Sequence, residues 1–120
     1  MKDLISSRHV VAVRRSPKHC PLTPLRHLLG GAWTLDALWV LGEGGPQRFG
    51  DLQASLDGVS SKVLTERLKS MLDSRIIWRK HIGGVPPVVT YGLTEEGVEL
   101  HKGLKQLAEI ADKLLSPDET

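Results

Sequence analysis

The chain has a single cysteine in 120 residues and only five aromatic side chains, three of them Trp. One thiol excludes an internal disulfide framework and fits a reducing compartment, so the cytoplasm is the expected location. No apolar run approaches the length needed to span a bilayer, and no transmembrane helix is expected. The first residues lack an apolar core of the kind a secretory leader needs. Arg14-Arg15 resembles a twin-arginine signal only superficially, because Ser-Pro-Lys-His-Cys follows where an apolar stretch would be required. There is no phosphate-cradling glycine loop ahead of a helix, no nucleophile elbow and no metalloprotease signature, so enzymatic chemistry is not expected. His19, Cys20 and His27 lack the paired spacing of a zinc site, and His9, His81 and His101 are scattered; neither metal nor cofactor is expected.

What is present is a moderately charged, half-polar chain of one-domain length with a net charge of only +2. That charge is unevenly placed. Residues 1–32 carry six Lys/Arg against one acid, and residues 60–91 carry six against two. Residues 33–59 and 92–120 are acidic. Localised basic charge is the footprint of a polyanionic partner.

Residues 1–19 read as a basic arm, with Lys2, Arg8, Arg14, Arg15 and Lys18 and one apolar run, His9-Val10-Val11-Ala12-Val13. Cys20-Pro21 then opens a helix whose Leu22, Leu25, Leu28 and Leu29 recur at helical spacing, stopped by Gly30-Gly31. Residues 32–41 form a second helix with Leu35, Leu38, Trp39 and Leu41 as its core face, ended by three glycines and a proline over residues 42–46. Residues 47–56 form a short helix with Phe49, Leu52 and Leu56 inward, and Asp57-Gly58-Val59 is a tight turn.

The stretch over residues 59–72 organises the rest. Val63, Leu64, Leu68, Met71 and Leu72 fall on one helical face, and Ser61, Lys62, Thr65, Glu66 and Lys69 on the other, with Ser60 or Ser61 as N-cap. Small hydroxyls and amines near a helix start suit a DNA major groove, although most mixed-charge faces are only solvated. Two short helices joined by a Gly-containing turn form the helix-turn-helix pattern. Residues 76–82 and 88–93 then alternate as two strands around Gly83-Gly84-Val85-Pro86-Pro87, a β-hairpin bearing Arg79, Lys80 and His81. Helix, turn, helix, basic hairpin is a winged helix. Its basic trio suits the phosphate backbone or minor groove, or simply protects an edge strand. Thr94 caps a long last helix with Glu95 and Glu96 in its first turn. Leu100, Leu104, Leu107, Ala111 and Leu114 recur every 3.5 residues on average, a seam for helix-against-helix packing and thus for a homodimer.

The fold class is therefore mainly α with a small β-hairpin: an arm at residues 1–19, a winged helix-turn-helix at 20–93, and a C-terminal dimerisation helix and tail at 94–120. Double-stranded DNA with a pseudo-palindromic operator is the expected partner, with Arg48 at the start of the preceding helix touching phosphate. A winged helix turned protein-interaction module, or a ligand-binding dimer without DNA, is the rival; Glu66 and Asp73 dilute the basic face. Trp33, Trp39 and Trp78 serve as core or interface anchors, or line an effector pocket at the dimer contact.

An ordered series of residues resembles the HxlR-type winged-helix transcriptional regulators, of the MarR-like kind. It comprises Cys20-Pro21, Leu28-Leu29-Gly30-Gly31-Ala32-Trp33-Thr34, Arg48-Phe49-Gly50-Asp51-Leu52, Val59-Ser60-Ser61-Lys62-Val63-Leu64-Thr65, Arg67-Leu68 and residues 85–97. The resemblance implies a small bacterial or archaeal DNA-binding regulator, usually a homodimer joined through its first and last helices. That would place Leu25 and Leu28 beside the seam of the last helix. The chain departs from the family pattern at Ala32 (usually basic), at Asp36 (usually apolar) and at Arg75 (commonly Gly in a left-handed C-cap). Arg75 thus implies a different or a strained exit from the helix. Several members of the family use the cysteine matching Cys20 to sense oxidants, quinones or aldehydes. Here Cys20 stands at a helix start beside His19 and Lys18, a setting that favours a nucleophilic thiol. The alternative is an inert thiol packed in the dimer core.

Overall fold

The computed structural model describes residues 20–116. The readings of residues 1–19 as an arm, of His19 and of the last four residues lie outside the described part. The chain divides after Gly30 into two units.

The described part of the first unit is helix α1 (Leu22–Leu29) and its start. Pro21 precedes it, where a missing N–H costs nothing. Thr23 N–H donates to Cys20 O at 2.9 Å, and Leu22 N–H approaches Cys20 Sγ at 3.4 Å. Leu22 and Leu25 are exposed, and with Leu29 they line an open apolar hollow of about 420 Å³.

In the second unit the order is α2 (Thr34–Gly44), β1 (Gln47–Arg48), α3 (Phe49–Ser55), α4 (Ser61–Asp73), β2 (Ile77–Ile82), β3 (Val88–Leu93) and α5 (Glu95–Leu115). The strands form one antiparallel sheet in the order β1-β3-β2. The core comprises Ala37, Leu38 and Leu41 of α2, Leu52, Leu56 and Val59, Leu64, Leu68 and Met71 of α4, and Ile76 and Ile77. Burying a side chain the size of Leu or Met stabilises by roughly 1.5–3 kcal/mol, so the i, i+4, i+7 triplet of α4 anchors that helix firmly. Ser60 is its N-cap: the Ser60 hydroxyl accepts from Val63 N–H at 3.1 Å.

The winged helix expected from the pattern is present, with four differences in detail. α2 begins at Thr34, because Trp33 sits in the left-handed region at φ +73°. It continues through Gly42 and Gly44 and stops only at Gly45 (φ +76°), so tertiary packing overrides glycine's weak helix preference. Its core face is Thr34, Ala37, Leu38 and Leu41; Leu35 and Trp39, expected inside, are 47% and 37% exposed. Gln47 and Arg48, read as helical, instead form β1 and pair with Tyr91 and Thr90 of β3. The Gln47 amide holds that turn by donating to Val40 O at 3.1 Å.

Asp36 is exposed in the first turn of α2, where the helix dipole favours a carboxylate. On α5, Gly97 and His101 are buried. Leu100 and Leu104 are half-buried, while Leu107, Ala111 and Leu114 are exposed. With Leu35, Asp36 and Trp39, the residues Leu104, Leu107, Ala108 and Ala111 line an open groove of about 400 Å³ between α2 and α5. No helix among the described residues is long and apolar enough to cross a membrane.

Candidate nucleic-acid interface

The exposed face of α4 follows from its buried face. With Leu64, Leu68 and Met71 turned inward, Ser61, Lys62, Thr65, Glu66 and Lys69 are all exposed, spaced i, i+1, i+4, i+5, i+8 along one side. Gln53 braces the helix start. Its amide donates to Ser61 Oγ at 3.1 Å and lies 3.4 Å from Val59 O, tying α3 across the turn to α4. That bond occupies one acceptor lone pair of Ser61 and leaves the hydroxyl proton for a ligand. Lys62, Thr65 and Lys69 offer donors. Glu66 is an acceptor, the chemistry that suits an exocyclic base amine and not a phosphate.

The sheet sorts the basic residues expected on the wing. Lys80 pairs with Thr90 in β3, and Thr90 pairs on its other side with Arg48 of β1. Residues in register across antiparallel strands share a face, so Arg48, Thr90 and Lys80 form one row. Lys80 Nζ also lies 4.8 Å from the centre of the Trp78 ring, which covers Gly92 so closely that a Cβ there would overlap it. Arg79 and His81 alternate to the opposite face, in register with Tyr91 and Val89. The trio is thus divided: the structure brings Lys80 together with Arg48 and separates it from Arg79 and His81. All four are exposed. The tip beyond them is uncharged, with Val85 fully exposed.

Three contributors were missed in the sequence reading. Gln53 carries no signal beyond being polar near a turn. Thr90 becomes visible only once β1 is known to pair with β3. Arg67, half-buried beside Leu68, donates from Nε to the carbonyl of Ala32 at 2.7 Å. Its one sequence cue is a long cation at the border of the buried face. Cys20 is exposed, as are Leu25, Leu107, Ala111 and Leu114 of the expected dimer contact. Among the described residues no cluster of His, Cys, Asp and Glu could hold a metal.

A family model of HxlR-like helix-turn-helix proteins matches residues 28–119. The chain is 38% identical over 87 residues to MalR of Fusobacterium mortiferum, covering 72% of this chain and 82% of that one. It is 33% identical over 93 residues to the HTH-type transcriptional regulator YodB of Bacillus subtilis, covering 78% and 82%. The solved reduced form of YodB matches with a TM-score of 0.72 at 32% identity, over 83% of this chain and 98% of that one. YodB has also been solved diamide-treated and quinone-bound. The redox regulator HypR in its oxidised form matches with a TM-score of 0.72 at 26% identity, over 84% and 100%.

Proposed function

The chain belongs to the HxlR-like helix-turn-helix family, whose named relatives are transcriptional regulators, and from that premise we propose that it regulates transcription as a homodimer bound to a specific operator. The observation that carries the reading is the α4 face: five exposed, small or flexible polar residues on a helix anchored from behind. Ser61, Lys62, Thr65 and Glu66 meet base edges or adjacent phosphates, with Lys62 and Thr65 the foremost contacts. Lys69 and the Arg48–Lys80 row meet the phosphate backbone, and Arg79 and His81 serve the other side of the wing. A two-fold dimer reads a pseudo-palindrome with half-sites about one or two helical turns apart, ~34–36 Å per turn.

The exposed seam of α5, with Leu107, Ala111 and Leu114 uncovered in one copy, supports pairing through this helix, and Leu25 and Leu28 of α1 are proposed to join the contact between copies. Cys20 is accessible, and similarity to regulators solved in oxidised and quinone-bound forms supports an oxidant or electrophile as the effector. With one thiol per chain, a disulfide would join two subunits or capture a small thiol. The protein acts in the cytoplasm and needs neither cofactor nor metal.

The test is a gel shift on DNA from upstream of the protein's own gene, in excess non-specific competitor, with and without diamide. A competitor-resistant band supports operator binding, and its loss on oxidation, absent in Cys20→Ser, assigns the switch to the thiol. No band on any duplex at low salt would favour the protein-interaction role that Glu66 and Asp73 keep open.

A further inference from the structure

The turn over residues 31–33 is held in a shape that its own sequence does not favour. Gly31 (φ +92°) and Trp33 (φ +73°) both occupy the left-handed region, which is costly for a residue as large as Trp. Something outside the turn must hold it. Two contacts do, and both come from the helix-turn-helix. Arg67 of α4 donates from Nε to the Ala32 carbonyl at 2.7 Å across 35 positions of sequence. The rim of the Trp33 ring reaches within 4.0 Å of where a Cβ on Gly58 would stand, in the turn between α3 and α4. Gly31 lies under the guanidinium: a Cβ there would sit 3.3 Å from Arg67 Nε and 3.4 Å from Thr34 Oγ1.

Arg67 is on the same helix as the reading face but on a different side. Ser61, Lys62, Thr65, Glu66 and Lys69 are exposed; Arg67 is half-buried and directs its Nε donor back into the protein. A charge-assisted bond to a backbone carbonyl fixes direction as well as distance. We infer that Arg67 is a positioning residue: by clamping the 31–33 turn it sets the angle at which α4 presents its face to DNA, without touching DNA itself. Supporting contacts of this kind decide whether a reading constellation is held tightly enough to discriminate between sequences. The DNA consequence rests on the function proposed above; the clamp itself does not.

Two variants of the full chain test it. Arg67→Met removes the charge and puts a methyl group where Nε stands. Arg67→Lys keeps the charge but puts a methylene where Nε stands. The first measurement needs no DNA: amide exchange of the free protein. Both variants should speed exchange by about tenfold in residues 32–34 and in α4 together, while the β2–β3 hairpin is unchanged. Unchanged exchange in α4 overturns the inference. The second measurement compares duplex from upstream of the gene with an unrelated duplex of equal length over a range of salt. Both variants should lose about tenfold in affinity for the upstream duplex, with affinity for the unrelated duplex and the salt slope retained. Retention of specific affinity in both overturns positioning. A salt slope lower by about one in Arg67→Met, with Arg67→Lys like the wild type, makes Arg67 a phosphate contact and also overturns it. Wild-type protein that binds neither duplex would end the DNA-binding reading, while the exchange result still decides the clamp.

Discussion

The hydroxyl of Thr94 donates to the carbonyl oxygen of Arg75 at 2.7 Å, with the Ile76 carbonyl at 3.0 Å, and accepts from Gly97 N–H at 3.0 Å. One side chain therefore joins the end of α4 to the start of α5. The α4 exit is a Schellman motif: Ile76 N–H donates to Met71 O and Arg75 N–H to Leu72 O, both at 3.0 Å. The motif demands a left-handed residue at its turning point, and Arg75 supplies it at φ +63°. The family's glycine exit is kept here without the glycine, so the strained alternative is the one realised. Arg75→Gly relieves that strain and should stabilise the fold by about 1 kcal/mol, net of the added freedom of the unfolded chain. Urea unfolding measures it; a lower midpoint would show that the Arg75 side chain contributes more than its backbone costs.

The same joint makes Gly97 irreplaceable. A Cβ on Gly97 would stand 2.2 Å from Ile76 O, a backbone atom that the Thr94 hydroxyl and the Thr94 N–H both engage. Gly97→Ala has to separate α5 from the hairpin base. It should cost at least about 1–3 kcal/mol, the ordinary range for overpacking. Gly103→Ala is the control: nothing lies within 4 Å of its Cβ position, and alanine there should stabilise the helix by about 0.5–1 kcal/mol. Thermal unfolding of the two variants side by side separates helix propensity from crowding.

These joints explain which parts of the molecule were legible beforehand. The α4 face could be read because Leu64, Leu68 and Met71 are all core and nothing competes with the helical period. The hairpin could be read because β-branched residues alternate around a Gly-Pro loop. β1 could not: Gln47 and Arg48 carry no strand preference, and their conformation comes from pairing with Tyr91 and Thr90, more than forty positions away. Leu35 and Trp39 misled for a related reason. Their spacing suits a core face, but they line an open groove, and a sequence pattern does not separate residues buried in one chain from those left for another surface. Arg67 and Gln53 act through bonds to backbone and hydroxyl groups brought near only by the fold, so no local pattern marks them.

His101, one of the scattered histidines of the sequence, turns out to be buried on α5. Its ring lies edge-to-face with Trp39 at 5.2 Å, and a Cβ on Gly42 would overlap it. Nε2 lies 2.9 Å from Glu43 Oε2, off the axis of a well-aligned hydrogen bond, and Lys105 Nζ is 3.2 Å from the same oxygen. The Lys105 ammonium, by its hydrogen bond and then its charge, holds the Glu43 carboxyl below its ordinary range against the opposing effect of desolvation, with a smaller contribution from the His101 ring. A lowered folded-state pKa contributes stability above the unfolded carboxylate pKa and loses it as pH falls through the folded value. Wild type should therefore exceed Glu43→Gln in stability at neutral pH. The gap should stay level upward from the ordinary carboxylate range and close below it. Denaturant midpoints of both proteins across acid pH check this, and a gap independent of pH would remove the carboxylate's charge from the account.

Lys69 is the last exposed cation of the α4 face, two turns beyond Ser61; in the proposed docking, with α4 in the major groove, that position meets the backbone and not the base edges. A lysine on phosphate displaces a condensed counterion whatever the base sequence. Lys69→Gln should weaken the upstream and unrelated duplexes by a similar factor and reduce the salt slope of log affinity by about one. Lys62→Gln should behave differently if Lys62 reads a base edge, losing about 1–3 kcal/mol on the operator alone and relaxing preference at one base position. Titrations of both variants on both duplexes at several salt concentrations give four affinities and their slopes. Equal losses on both duplexes for both lysines would leave base reading to Ser61, Thr65 and Glu66. An operator-only loss in Lys69→Gln would turn the helix further into the groove than its anchoring face now implies.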